Sequence, residues 1–219
     1  MNSKSNLPSE KSEVSETLPI NNFYVSTDNN ENDTFPSNDS SCNTNPGNVD
    51  DHVSSGYSSD ASNPVNILKS LKSKNTEKIV IAQLNINSLP HKFDQLVTII
   101  DGNVDILVIT ETKLDETYTN SQFKIDGFSS PYRLDRNREG GGIIVFIRED
   151  IPSKILTKHT LPEDIEAILI EINLRKNKFM LLATYHPPSQ SDQYFFDNIN
   201  TALDRYAGNY DKVLLGRRF

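Results

Sequence analysis

The chain has 219 residues, of which 35% are hydrophobic, and this length allows one good-sized domain. Its formal net charge of -8 does not indicate a nucleic-acid partner by itself, because a strongly basic footprint is absent. A single cysteine, Cys42, excludes a disulfide framework, and no apolar run approaches the roughly 20 residues of a membrane span, so we expect an intracellular protein without a membrane anchor.

Residues 1–64 differ in composition from the rest of the chain. They contain 14 Ser and 12 Asn, and ten acidic residues stand against two lysines. Such a segment buries too little apolar surface to offset the entropy of ordering, so we predict a disordered acidic tail. The tail carries the whole net charge, since residues 65–219 hold 20 basic and 20 acidic side chains. We interpret residues 65–77 as a short linker with helical character and residues 78–219 as the domain.

The domain begins with alternating strand and helix patterns. Residues 78–84 are apolar on both faces, which is typical of a strand inside a buried sheet. Helical spacing of Phe93, Leu96, Val97 and Ile100 follows. Residues 105–110 predict a second buried strand that ends at Glu111.

The second half of the domain predicts further strands and one helix. Residues 140–147 resemble a strand, and residues 167–172 and 179–184, with a short polar segment between them, predict a hairpin. A helix across residues 194–206 leads to a last strand at 212–215. We therefore predict an α/β (α+β) fold with a mixed sheet flanked by helices.

Polar residues follow three of the predicted strands. They are Asn85, Glu111 and Tyr185. A carboxylate held at a strand end suits Mg²⁺, which takes one or two protein carboxylates and leaves the rest of its shell to water and phosphate. Spacing alone also allows the simpler interpretation, in which these residues only terminate strands.

The sequence around these residues resembles the motifs of a known superfamily. Ile81-Ala-Gln-Leu-Asn-Ile-Asn-Ser-Leu89 and Asp105-Ile-Leu-Val-Ile-Thr-Glu-Thr-Lys-Leu114 are similar to the first two motifs of endonuclease/exonuclease/phosphatase proteins. Tyr132-Arg-Leu-Asp-Arg136, the Gly140–Gly142 run and Ala183-Thr-Tyr-His-Pro-Pro-Ser189 resemble segments of the apurinic-site-type endonucleases of non-LTR retrotransposons. These matches occur in the family's order between residues 78 and 216.

The resemblance implies a part of a four-layer α/β sandwich and a Mg²⁺-dependent DNA endonuclease, with Mn²⁺ as a possible substitute. Glu111 would bind the metal and Asn87 would stand near it. Asn85 would orient phosphate or metal-bound water, and Tyr185 would donate a hydrogen bond near the scissile phosphate. The alternatives stay open that Asn87 only caps the turn before Pro90 and that Tyr185 is a core phenol.

DNA is the partner that the resemblance implies, and neither a membrane nor a small-molecule cofactor is expected. Arg133 and Arg136 are the candidate contacts to the DNA backbone, although acidic neighbours such as Asp135 allow local ion pairs instead. The Gly140–Gly142 run lacks the spacing of a nucleotide-binding loop. A functional protein of this kind would work in the nucleus.

The sequence departs from the family's Gly-Asp-Phe-Asn motif. It has Gly216-Arg-Arg-Phe219, and an arginine cannot accept a proton at neutral pH. The later Ser-Asp-His segment is also absent from the given sequence. We therefore expect little hydrolysis, below about 1% of an intact relative. We also expect the inner face of the first sheet to be exposed if half of the sandwich is missing.

Three other functions remain in competition with a retrotransposon endonuclease. One is a phosphoesterase of the same fold that acts on lipid or nucleotide phosphates. Another is a non-catalytic module that binds metal and DNA. The last is an unrelated α/β protein.

Overall fold

The computed structural model describes residues 22–26, 63–156, 161–174 and 177–218, and for residues 22–26, 217 and 218 it describes the backbone only. The helices are α1 (Pro64–Lys74), α2 (Phe93–Ile100) and α3 (Asp192–Tyr206). The strands are β1 (Asn22–Ser26), β2 (Ile79–Asn85), β3 (Ile106–Thr110), β4 (Tyr132–Leu134), β5 (Ile143–Ile147), β6 (Ser153–Ile155), β7 (Ala167–Leu174), β8 (Asn177–Tyr185) and β9 (Lys212–Arg218).

The strands form two mixed sheets. The first sheet has the order β1-β2-β3-β5-β4, in which β2 and β3 are parallel and the other neighbours are antiparallel. The second has the order β6-β7-β8-β9, in which only β8 and β9 are parallel. The predicted mixed sheet and the predicted hairpin, which joins β7 to β8, are both confirmed.

The helices and sheets form four layers, with an apolar core between each pair of neighbouring layers. Ala82, Leu107 and Phe146 lie on the outer face of the first sheet and pack with residues of α1 and α2. The inner faces of the two sheets meet in a second core. A third core lies between the second sheet and α3, where Phe195 is fully buried. The order helix, sheet, sheet, helix confirms the predicted four-layer α/β sandwich.

The inner face of the first sheet is covered by this chain itself. Val108 and Val145 of the first sheet pack with Ile170 and Leu181 of the second, and all four are buried. The expectation of an exposed inner face was therefore wrong. It assumed that the second sheet comes from a later part of the fold, whereas residues 153–218 already supply it.

The segment interpreted as a linker contains α1. Asn63 caps this helix, since its side chain accepts a hydrogen bond from the Val65 amide at 3.0 Å, and Pro64 occupies the first turn. Leu68 is fully buried in the core, and Lys72 Nζ lies 2.6 Å from Asp105. The helix is thus packed against the sandwich.

Several local features differ from the sequence patterns. The strand predicted from Gly140 begins at Ile143, and the short strands β4 and β6 were not predicted. Within the predicted tail, Asn22–Ser26 pairs antiparallel with β2, and the rest of the tail lies outside the described residues. None of the helices in the described ranges is long and apolar enough to cross a membrane.

Candidate active site at the strand ends

Asn85 and Glu111 lie side by side at neighbouring strand ends. β2 and β3 are parallel, and their register pairs Asn85 with Thr110, the residue directly before Glu111. Parallel strands bring their carboxyl ends to the same edge of a sheet. The predicted proximity of these two residues is therefore confirmed, while their chemical roles remain predictions.

The loops that follow β2 and β3 are bonded to each other. The Ser88 amide donates to the Glu111 carbonyl at 2.9 Å, and the Leu89 amide donates to the Thr112 carbonyl at 2.9 Å. In the described ranges, the non-glycine residues with positive φ are Asn87, Ser88, Glu111 and Lys113. Such backbone is strained in L-residues and collects at functional sites. The loops after β2 and β3 thus adopt an unusual backbone conformation that hydrogen bonds between them stabilise.

Asn85 presents an unused hydrogen-bond donor to this edge. Its Oδ1 accepts from the Asn87 amide at 3.2 Å. Its Nδ2 is buried and has no hydrogen-bond partner among the described residues. A buried donor without a partner is costly, so a ligand or water that accepts from Nδ2 would be stabilised here.

Tyr185 reaches the same place from the second sheet. It is the last residue of β8 and is 8% exposed. Burial raises the pKa of its phenol, and the charge of the Glu111 carboxylate and hydrogen bonding with it raise the pKa further. Tyr185 thus packs in the core between the two sheets, and its phenol is near enough to Glu111 for that carboxylate to act on its pKa.

Glu166 is a member of the site that the sequence patterns did not single out. Its carboxylate is buried, and its charge also raises the pKa of Tyr185. Oε2 accepts from the Gly142 amide at 2.6 Å, and Oε1 accepts from Arg136 at 2.9 Å. Glu166 directly precedes β7 and follows two other acidic residues, Glu163 and Asp164, so no pattern in the sequence distinguishes it.

The two arginines predicted to contact DNA lie in different surroundings. Arg136 binds Glu166, and its side chain is 45% exposed beside Tyr185. The Arg133 side chain is 9% exposed, pairs with Asp135 and donates to the Tyr118 carbonyl at 3.0 Å. These contacts occupy Arg133 within the protein, so the structure gives no support to its predicted DNA contact.

The predicted second metal ligand, Asn87, is exposed two residues after Asn85. No group of three or more His, Cys, Asp or Glu side chains that could hold a metal occurs among the residues that the structure covers. The Glu111 carboxylate and the side-chain oxygen of Asn87 are hard oxygen donors of the kind that Mg²⁺ takes.

The backbone of β9 runs past the same site. Its register pairs residue 217 with Thr184 and residue 218 with Tyr185. Gly216 packs closely against the first sheet, since a Cβ atom at this position would lie 3.2 Å from Val108. Arg217 and Arg218 therefore occupy backbone positions next to Tyr185, where the resembled motif has Asp and Phe.

The structure is similar to several solved nuclease structures. The endonuclease domain of TRAS1, a telomere-specific non-LTR retrotransposon, matches with a TM-score of 0.47 and 11% identity over 63% of this chain and 57% of that chain. The AP endonuclease LMAP from Leishmania major matches with a TM-score of 0.47 and 17% identity over 57% of this chain and 47% of that one. The Xenopus laevis APE2 catalytic domain matches with a TM-score of 0.48 and 15% identity over 62% and 56%.

This chain spans about half the length of these structures. No protein-family model matches the sequence, and no curated protein matches it.

Proposed function

We propose that this chain carries the cation- and phosphate-binding part of a Mg²⁺-dependent DNA phosphodiesterase site of the endonuclease type. The observation that carries the proposal is the meeting of Asn85, Glu111 and Tyr185 from two sheets at one edge. The amino-acid sequences of the motifs around these residues, and their order along the chain, support the same function.

The residues present fit a divalent cation. Glu111 supplies a carboxylate that forms no ion pair with a basic side chain among the described residues. The side-chain oxygen of Asn87 is a second candidate ligand. A bound Mg²⁺, or Mn²⁺ in its place, would stabilise the negative charge that develops on phosphate oxygens.

The other polar groups have complementary tasks toward a phosphodiester. Asn85 Nδ2 can donate to a non-bridging phosphate oxygen or to a water molecule, since it has no partner in the described part of the chain. Tyr185 stays protonated at neutral pH, and its single O–H, which interacts with Glu111, could donate to phosphate instead if Glu111 bound a cation. Arg136 adds a permanent positive charge at the rim.

Position 217 favours a second candidate function, a module that binds metal and DNA without cleaving DNA efficiently. Arg217 stands where the resembled motif has an aspartate that accepts a proton from water. A guanidinium cannot take that proton at neutral pH and repels a cation. We therefore expect DNA binding together with slow hydrolysis.

The test measures binding and cleavage separately on the full chain. Fluorescence anisotropy with a short DNA duplex would give Kd with and without Mg²⁺, and nicking of supercoiled plasmid would give the rate. We expect Mg²⁺ to tighten DNA binding and Glu111→Ala to remove that effect. The matched control is Glu116→Ala, an exposed acidic residue outside the site.

Two results would contradict the proposal. One is DNA binding that is indifferent both to Mg²⁺ and to Glu111→Ala. The other is hydrolysis of a lipid or nucleotide phosphate by a chain that does not bind DNA, which would favour a different phosphoesterase. Rapid plasmid nicking that disappears in Glu111→Ala would support the nuclease function and refute the expectation of slow hydrolysis.

A further inference from the structure

Glu166 connects three parts of the candidate active site. Its carboxylate binds the Gly142 amide and the Arg136 guanidinium. Its main-chain carbonyl accepts hydrogen bonds from the Tyr185 amide at 3.0 Å and from Thr184 Oγ1 at 2.9 Å. Glu166 therefore links the Gly140–Gly142 segment, called here the glycine-rich turn, with Arg136 and the end of β8.

The glycine-rich turn is fitted to this carboxylate. Gly141 has a φ of +73°, and a Cβ atom there would lie 2.6 Å from both carboxylate oxygens of Glu166. The carbonyls of Gly141 and Gly142 accept from the amides of Lys113 and Thr112, the residues that follow Glu111. The carboxylate of Glu166 thus packs against the glycine-rich turn, which is itself bonded to the residues that follow the predicted metal ligand.

Arg136 is held by one nitrogen and keeps its other donors available. Its Nη1 donates a hydrogen bond to Glu166, and among the described residues its other two guanidinium nitrogens have no hydrogen-bond partner. The side chain remains 45% exposed, and its charge acts on the Tyr185 phenol. A guanidinium in this state can bind an anion in the fork geometry that suits phosphate.

We propose that Glu166 is a positioning residue, which holds the Arg136 guanidinium against the glycine-rich turn and near the end of β8, so that its free donors bind the non-bridging oxygens of a phosphodiester. This inference rests on the proposed function, because it names Arg136 as the phosphate contact of the same site. Glu166 itself does not touch the substrate, since both of its oxygens are already engaged.

Glu171 offers a matched control within the same chain. It is also a buried glutamate, at 8% exposure against 6% for Glu166, and it also pairs with a largely exposed basic side chain, Lys154. Its other partners are Asn173 and Tyr210, which lie outside the candidate site. Glu171→Gln therefore reports what the loss of a buried carboxylate does without the loss of a site contact.

The test is a double-mutant cycle on the full chain, read as Kd for a short DNA duplex at several salt concentrations. We expect Glu166→Gln and Arg136→Gln each to weaken binding by about five- to tenfold, and the double variant to bind no more weakly than Arg136→Gln alone. Arg136→Gln should also reduce the slope of log Kd against log salt by about 1. Glu171→Gln should leave Kd unchanged.

A second measurement keeps the positioning role separate from DNA binding. The Nε–Hε signal of Arg136 in nuclear magnetic resonance spectra reports the order of the guanidinium without any DNA. We expect it to be ordered in the original protein and mobile in Glu166→Gln, but unchanged in Glu171→Gln. Arg136→Lys, which keeps the charge and loses the fork, serves as a second variant if Glu166→Gln does not fold.

The outcomes distinguish the two claims. If the protein does not bind DNA but Arg136 becomes mobile in Glu166→Gln, the proposed function fails and the positioning role stands. If the protein binds DNA and Arg136 stays ordered in Glu166→Gln, the positioning role is overturned. It is also overturned if Glu166→Gln weakens binding by the same factor in the Arg136→Gln background, or if Arg136→Lys binds as tightly as the original protein.

Discussion

The carboxylate of Glu111 acts on the phenol of Tyr185, although the two residues lie at the ends of strands in different sheets of the sandwich. Glu111 follows β3 of the first sheet, and Tyr185 ends β8 of the second. Burial and this carboxylate together raise the pKa of the phenol. The pKa of Tyr185 should therefore respond to changes at Glu111.

The first prediction concerns this interaction. Glu111→Gln should lower the pKa of Tyr185, because it removes the negative charge that disfavours the phenolate, while the contribution of burial remains. The pKa is measured from the ultraviolet absorbance of tyrosinate during an alkaline titration. The same titration in Tyr185→Phe and in the double variant isolates the Tyr185 signal. An unchanged Tyr185 pKa in Glu111→Gln would show that the two groups do not interact.

The second prediction concerns the glycine-rich turn. Gly141→Ala should lower the free energy of unfolding by about 2–4 kcal/mol, since it adds left-handed strain and a collision with the Glu166 carboxylate. Gly140→Ala is the control, because its added Cβ meets open space, and we expect a change within about 0.5 kcal/mol. Urea denaturation of both variants measures the difference, and equal stabilities would refute the described turn.

The third prediction tests whether α1 belongs to the folded domain. Leu68 lies on the buried side of this helix and is fully buried, so Leu68→Ala should lower the free energy of unfolding by about 2–5 kcal/mol. Its neighbour Ile67 is 37% exposed, and Ile67→Ala should cost much less. Thermal or urea unfolding measures both. If Leu68→Ala were as mild as Ile67→Ala, residues 64–74 would be a linker after all.

The fourth prediction is a pH dependence. Burial and the hydrogen bond from Tyr210 to Glu171 raise the pKa of Tyr210 to about 12. In the unfolded chain this phenol ionises near its ordinary value of about 10. Its contribution is therefore fully present below about pH 10 and is lost as the pH rises through about 12.

Tyr210→Phe removes this contribution. We expect the variant to be less stable by about 1 kcal/mol at neutral pH, and the gap to narrow at alkaline pH. Urea unfolding at a series of pH values measures it. Tyr194→Phe is a surface control, because the Tyr194 hydroxyl bonds Asp164 in the solvent-exposed part of the protein. A gap that widens with rising pH would contradict the assigned sign.

The fifth prediction concerns β9. Arg217→Asp should strengthen Mg²⁺ binding by about tenfold or more, because it replaces a positive by a negative charge at a position whose backbone pairs with the end of β8. The backbone register beside Thr184 puts this position next to the site. Isothermal titration calorimetry measures the affinity, with Lys212→Asp at the far end of β9 as the control. Equal effects of both substitutions would point to overall charge rather than to a local site.

The order of elements and part of the site follow from the sequence alone. Residues 78–84 and 105–110 are continuous apolar runs, and one short helix separates them. Such a unit pairs its strands in parallel, so Asn85 and Glu111 had to emerge together. The helices α2 and α3 and the β7–β8 hairpin were likewise predicted, because their apolar periodicity matches the faces that they bury.

Tertiary structure alone decided the rest of the site. Arg136 and Glu166 are 30 residues apart in the sequence. Tyr185 comes near Glu111 only because the two sheets pack face to face, a packing that is close enough for Gly216 to lie on Val108. Periodicity states which face of an element is apolar, but it does not state which distant segment covers that face. An ion pair between distant segments, such as that of Arg136 with the buried carboxylate of Glu166, is therefore specified by the packing of whole sheets and not by any local pattern.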